Sequence, residues 1–307
     1  MASRRRYVSA LVLVALGALT ACGCSPSADT ASAGKVDVAT TTTQLTDFAK
    51  VIGGDHVAVH GLLKANVDPH DYEPSPADLD EISTAKVIVK NGVGLDKWFD
   101  DTIKAADPSG QVVDASRGVA IRRGTGSESK VGDPHIWHDP RNAEIMVNNI
   151  ERALVKADPA HRADYQRNLD AYRAKLLQLD RYIATGVGSL SNKKLVTNHD
   201  AFGYFVRRYG LEFEGSIIPS FDTSAQLSGT DVSDLVTKIK ATGTKAVFSE
   251  SSLPPKTAAA IGREANVRVV AGADSLYGDT LGPPGSAGDT YLKMERHNAD
   301  VIVDNLR

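Results

Sequence analysis

One amphipathic stretch of unusual length sits mid-chain, with alternating strand and helix patterns on both sides of it. Its apolar residues Tyr165, Leu169, Tyr172, Leu176, Leu179 and Ile183 recur at spacings of 4, 3, 4, 3 and 4, which is one continuous helical stripe. Asp158 stands as N-cap with Pro159 at the first helical position, and the pattern runs to Gly186. At 1.5 Å per residue such a helix is about 40 Å long, as long as a small domain is wide. A coiled-coil dimerisation segment would carry the same stripe, but strand–helix alternation resumes directly after it. A rigid strut between two lobes of a monomer is therefore expected.

Before the strut, Lys35–Ala39, His56–Leu63, Val87–Val89 and Gln111–Val113 are strand-like. Between them and after them fall helical patterns at Gln44–Ile52, Asp78–Ala85, Leu95–Ala106 and Arg141–Lys156. After the strut, strands are predicted at Lys194–Thr197, Gly215–Ile218, Ala246–Phe248 and Arg268–Val270. Helices are predicted at Ala201–Tyr209, Thr230–Ala241, Lys256–Ala265 and Thr290–Leu306. Such alternation implies the α/β class: two lobes with mainly parallel sheets flanked by helices, joined by one long rigid helix. Residues 35–157 form the first lobe, 158–187 the linking helix and 188–307 the second lobe.

The chemistry concentrates in Asp133-Pro134-His135-Ile136-Trp137-His138-Asp139-Pro140, two histidines and two aspartates within seven residues, stiffened by proline. Asp-Pro-His also occurs at Asp68-Pro69-His70, 65 residues earlier, and the two tripeptides are expected to be halves of one metal site. His70 follows a strand end and His199 sits where a strand passes into a helix, the position at which parallel sheets bind ligands. Residues Arg122–Gly132 lack periodicity and are expected to be a mobile surface loop.

At the N-terminus, Arg4, Arg5 and Arg6 precede a short apolar run, Tyr7–Leu19, the pattern of a secretory signal rather than a membrane span. Leu19-Thr20-Ala21-Cys22 resembles the lipobox of bacterial lipoproteins, which implies cleavage after residue 21 and a lipid on Cys22. Residues 1–21 are then the signal and 22–34 a lipidated flexible tether, Ser25–Gly34 being rich in Ser, Ala and Thr. Cys24 is the only other cysteine, so the exported domain has no disulfide framework, and any metal must be held by His, Asp or Glu. Loss of the three signal arginines takes the formal charge from −3 to −6, which gives no electrostatic case for nucleic acid.

Four motifs in order carry a family resemblance: Asp68-Pro69-His70-Asp71-Tyr72-Glu73-Pro74, Asp133-Pro134-His135-Ile136-Trp137, Asn198-His199-Asp200-Ala201-Phe202-Gly203-Tyr204-Phe205, and Gly278-Asp279-Thr280-Leu281-Gly282 followed by Gly288-Asp289-Thr290-Tyr291. The chain resembles the metal-binding lipoproteins of bacterial zinc and manganese ABC importers from its lipobox to its last helix. The resemblance implies an extracytoplasmic, membrane-anchored solute-binding protein that hands one buried ion to a permease and its ATPase.

Carried over by motif, the ligands are His70 and His135 from the first lobe and His199 and Asp279 from the second. Asp274 is a decoy, because Asp274-Ser275-Leu276 also resembles the last motif, but spacing from Tyr291 favours Asp279. His138 stands where the pattern often has an apolar residue, and a surface position is expected for it. A supporting contact behind the ligands is its other possible role, shared with Glu250 and Asp200. His56, His60, His161 and His297 match no motif. Three imidazoles and one carboxylate suit Zn2+ and, less tightly, Mn2+. The family associates glutamate at the third position with manganese, so His199 favours zinc, whereas the absence of histidine from 122–132 does not. Mn2+ or Fe2+ is the alternative cargo, and a metal chelate or siderophore is a more distant one. A zinc hydrolase would need an open ligand position and a base, and no His-Glu-x-x-His helix is present. No separate module supports an adhesin role.

Overall fold

β1 (Val36–Thr40) lies at the centre of a parallel sheet, pairing on one side with β2 (Val57–Gly61) and on the other with β3 (Val87–Lys90). β4 (Gln111–Asp114) adds to β3, giving the order β2-β1-β3-β4. Val38 meets Val59 and Val87 across its two ladders, and β1 and β3 are almost wholly buried, as strands covered on both faces must be. The structure is a computed structural model that describes residues 34–124, 129–130 and 132–307. The signal, Cys22, Cys24 and the tether up to residue 33 lie outside the described residues, as do 125–128 and 131 of the expected mobile loop.

The crossover helices start where local chemistry caps them. In α1 (Thr43–Gly53) the Thr42 hydroxyl accepts from Leu45 N. α2 (Pro76–Thr84) opens with a Ser75/Asp78 capping box and proline at its first turn. α3 (Lys97–Ala106) leads to β4, and α4 (Pro140–Ala157) is capped by Asp139, which accepts from Arg141 N at 2.9 Å.

α5 (Arg162–Gly188) is the long helix, and all six stripe residues from Tyr165 to Ile183 are buried. Each buried Leu or Ile there contributes roughly 1.5–3 kcal/mol of transfer free energy. Its start differs from expectation. Pro159–His161 form a separate 3₁₀ turn, and the Asp158 carboxylate takes hydrogen bonds from His161 Nδ1 and Tyr165 Oη instead of capping α5. Side-chain donors out-competed the backbone for that carboxylate.

Beyond α5 come β5 (Lys194–His199), α6 (Gly203–Tyr209), β6 (Glu212–Ile218), α7 (Gly229–Thr242), β7 (Ala246–Phe248), α8 (Lys256–Ala265), β8 (Arg268–Val270) and α9 (Tyr291–Leu306). β5 pairs β6 and β7 pairs β8, both in parallel, with β5 beside β7. The α/β class, the parallel sheets and the long helix are as expected.

Two features go beyond the sequence reading. α5 is no bare strut: it packs on α1 and α4 and also on α6 and α9, and its stripe joins one core that runs from Val36 to Leu306. Residues Gly34–Arg307 accordingly form one compact unit. A separate small core, including Val196, Val236, Val247 and Ile261, belongs to β5–β7 with α7 and α8, and Val269 of β8 packs against it. The last helix returns to the first lobe, where Tyr291 packs on Phe48 and its hydroxyl donates to Trp137 O at 2.7 Å. No helix among the described residues is long and apolar enough to cross a membrane.

Candidate metal centre

The two Asp-Pro-His tripeptides fold alike. Asp68 Oδ1 accepts from His70 N at 2.9 Å, and Asp133 Oδ1 accepts from His135 N at 3.0 Å. Each is a turn in which an aspartate side chain stands in for a backbone acceptor. The intervening carbonyls are pinned too: Pro69 O by Trp98 Nε1 and Pro134 O by Asn91 Nδ2. Both histidines are thereby held before any ligand arrives.

His70, His135, His199 and Asp279 converge, their candidate ligand atoms all within 4.8 Å of one another. His70, His135 and Asp279 come after the carboxyl ends of β2, β4 and β8, and His199 is the last residue of β5. His135 Nε2 lies 3.3 Å from His199 Nε2 and 3.2 Å from Asp279 Oδ1. Asp279 Oδ2 lies 3.4 Å from His199 Nε2 and 3.8 Å from His70 Nε2. His135, His199 and Asp279 are fully buried. Among the described residues, neither Asp279 oxygen has a conventional hydrogen bond, nor does His70 Nε2. Buried polar atoms aimed at one point without partners are costly unless something satisfies them. A cation at that point would. Asp274, the decoy, ends an exposed 3₁₀ turn outside the cluster.

Two carboxylates stand behind the imidazoles. Asp133 Oδ1 holds His135 Nδ1 at 2.8 Å, and Glu250 Oε1 holds His199 Nδ1 at 3.0 Å and His199 N at 3.1 Å. An Nδ1–H donated to a carboxylate leaves Nε2 free for a metal and makes it more basic. The charges are strongly coupled. Burial works against a protonated His135, but the contacts to Asp133 and Asp279 prevail and lift it to about 9. Burial opposes the cation on His199 as well, yet Glu250 and Asp279 raise it well above the usual imidazole range. Asp279, despite burial, is held well below the ordinary carboxylate range by His199 and His135.

Residues 38–305 match the family described as "Zinc-uptake complex component A periplasmic". The chain belongs to this zinc-uptake family. Among its relatives are the manganese-binding lipoprotein MntA of Bacillus subtilis, 32% identical over 99% of this chain and 100% of that protein. The iron ABC transporter substrate-binding lipoprotein MtsA of Streptococcus pyogenes is 31% identical, covering 94% of each chain. The periplasmic zinc-binding protein TroA of Treponema pallidum superposes with a TM-score of 0.83 at 31% identity, covering 89% of this chain and 99% of that one.

One histidine of this zinc-uptake family member sits differently from the sequence expectation. His138 is not on the surface but fully buried. Its Nδ1 meets Glu295 Oε1 at 2.7 Å, its Nε2 meets Gly278 O at 3.0 Å, and its ring stacks on Phe202. Trp137 Nε1 donates to the same carbonyl, one residue before Asp279. Asp279's own carbonyl accepts from Gln44 Nε2, and Thr43 and Asn66 bind the next two residues. The loop bearing Asp279 is thus tied to the first lobe, although it lies in the second by sequence. His56 and His161 stack on each other at 3.8 Å, His60 faces Asp78 and Glu81, and His297 faces Ser275 O, all apart from the cluster.

Gly278 has a packing role besides. A Cβ there would overlap Glu250 Oε2. Gly278→Ala is therefore expected to push Glu250 off His199 and weaken zinc binding about 10- to 100-fold, the range for loss of a group that orients a metal ligand. A chelator-competition titration checks this, and an unchanged affinity would show that Glu250 does not set His199.

Proposed function

We propose that this chain is the extracytoplasmic receptor of an ABC importer, and that it captures one divalent transition-metal ion, zinc before manganese, on His70, His135, His199 and Asp279. The spacing of the donor atoms carries the reading. Bonds of about 2.0–2.1 Å to a tetrahedral zinc ion imply donor–donor edges of about 3.3–3.4 Å. His135 Nε2 and His199 Nε2 are 3.3 Å apart, and they lie 3.2 Å from Asp279 Oδ1 and 3.4 Å from Asp279 Oδ2 respectively, with His70 slightly withdrawn at 3.8 Å from Oδ2 and all four candidate ligand atoms within 4.8 Å of one another. Three imidazoles and a carboxylate, with Asp133 behind His135 and Glu250 behind His199, suit zinc.

Manganese or ferrous iron is the second reading. It is favoured by relatives named for those metals and by Asp279, whose two buried oxygens could both bind and raise the coordination number. A siderophore fits poorly, because three of the four ligands are wholly enclosed. Hydrolysis fits poorly as well. Glu250, which could otherwise serve a bound water as base, faces His199 Nδ1.

Residues 35–157 and 188–307 act as the two lobes and 158–187 as their linking helix, with the Asp279 loop and α9 functionally part of the first lobe. His199 is then the one ligand delivered by the β5–β8 body, so withdrawing that body opens the site for the permease and its ATPase. Cys22 anchors the protein by lipid to the outer face of the cell membrane, as a monomer. Competitive titration of zinc against manganese on chelator-stripped protein tests the cargo. A zinc preference of about 100-fold or more is expected, whereas equal or manganese-favouring affinity would assign the second reading.

A further inference from the structure

Arg122 opens the segment that the sequence marks as a featureless loop, yet it is half-buried and fully engaged. Its Nη1 donates to Asp133 Oδ2 at 2.7 Å and its Nη2 to Asp200 Oδ2 at 3.3 Å. Asp133 is the carboxylate that holds His135 Nδ1, and Asp200 is the residue after His199. One guanidinium therefore spans the supports of two candidate ligands that come from different lobes. The fork of an arginine suits this, since it can serve two acceptors in fixed directions.

The second lobe is shaped to receive it. A Cβ on Gly203 would overlap the guanidinium, so glycine there makes the slot. Phe221 lies under the charge at 5.3 Å from its ring centroid. Tyr204 Oη accepts from Arg122 N and donates to Asp133 O, closing a second bridge between the same two segments. Asp133 itself is wholly buried, so its Oδ2 would be left without a partner if the guanidinium withdrew.

We propose that Arg122 is a positioning residue that straps the lobes together behind the ion, and that breaking its contact with Asp200 is part of metal release. This rests on the four-residue metal site. The contacts join groups that must separate if His199 is to leave, so the strap acts on the dissociation rate and hardly on association. Removing Arg122 alone also leaves the site more negative, which would hold a dication more tightly and mask the effect. Pairing that change with loss of the Asp200 charge cancels the imbalance.

The test is stopped-flow release of zinc to an excess of chelator from the parent, Arg122→Gln, Asp200→Asn, Arg122→Gln/Asp200→Asn and Arg122→Lys, with association rates measured alongside. The charge-balanced double variant is expected to release zinc about tenfold faster, the low end for losing a group that supports a metal ligand. Its association rate should stay within about twofold of the parent. Arg122→Lys, which keeps the charge and loses the fork, is expected between parent and double variant, and it serves if the other variants fold poorly. A double variant that releases zinc at the parental rate, or equal changes in both rates, would overturn the strap while leaving the site standing. A parent that takes up no zinc would overturn the site and the strap with it.

Discussion

Asp279→Ala is expected to lower zinc affinity by well over 100-fold and to remove most of the thermal stabilisation that zinc gives the parent. The carboxylate is the only anion among the four candidate ligands, and it lies 3.2–3.4 Å from two imidazole nitrogens. Loss of a mere supporting residue costs about 10- to 100-fold in metal affinity, so loss of a charged ligand must cost more. In the parent, zinc at about 1,000 times its dissociation constant adds about 4 kcal/mol to the folded state. For a protein of this size that corresponds to a rise of roughly 10 °C in Tm. At the same zinc concentration a loss beyond 100-fold leaves less than about 1.4 kcal/mol, so the variant's zinc-induced rise in Tm should fall to about a third of the parent's or less. The loop itself should persist, because Gly278 O, Asp279 O and the two following residues keep their ties to Trp137, His138, Gln44, Thr43 and Asn66. A parental zinc affinity in Asp279→Ala would assign the fourth ligand elsewhere.

Acidification should weaken the site steeply. In the ion-free protein the Asp279 charge is answered by protons on His135, raised to about 9, and on His199, raised well above its usual range. A metal must displace those protons, and each one displaced changes affinity by about tenfold per pH unit below its pKa. Zinc affinity is therefore expected to rise by one to two decades per unit from about pH 6.5 towards 9. Folding of the ion-free protein runs the other way. The folded His135 pKa lies above the unfolded value near 6.5, so its stabilisation is complete below that pH and is lost as pH rises through about 9. Asp279, depressed in the folded state, adds stability that is present above its ordinary range and lost on strong acidification. The zinc-induced rise in Tm should consequently grow between pH 6.5 and 8.5. Chelator titrations and melts at these pH values check both trends, and a flat affinity would mean that the imidazoles are neutral before zinc arrives.

Local chemistry made most of the fold legible. The 4-3-4-3-4 stripe marked α5, and β7, β8 and α8 lie where the short apolar runs and the breaker residues put them. Asp-Pro-His could be read as a stiff, ligand-bearing loop because the restraint that proline imposes is local. What stayed hidden depends on distant partners. His138 reads as a polar residue beside a tryptophan, and only α9, more than 150 positions later, supplies the buried Glu295 that receives it. Arg122 lies in a segment without periodicity, and its slot is cut by Gly203 and Asp200, which no spacing rule connects to it. The allegiance of the Asp279 loop to the first lobe is likewise a matter of tertiary hydrogen bonds, donated by Gln44 and Asn66 and accepted by Thr43. Asp158 has an N-cap's position, but its carboxylate was claimed by Tyr165 and His161.

The most direct measurement is to locate the ion by anomalous diffraction at the zinc edge in crystals of the zinc-loaded protein. The expected result is a single peak per chain, with Nε2 of His70, His135 and His199 and a carboxylate oxygen of Asp279 each about 2.0–2.2 Å away. A peak elsewhere, or one that leaves any of these four residues outside bonding distance, would contradict the four-residue site.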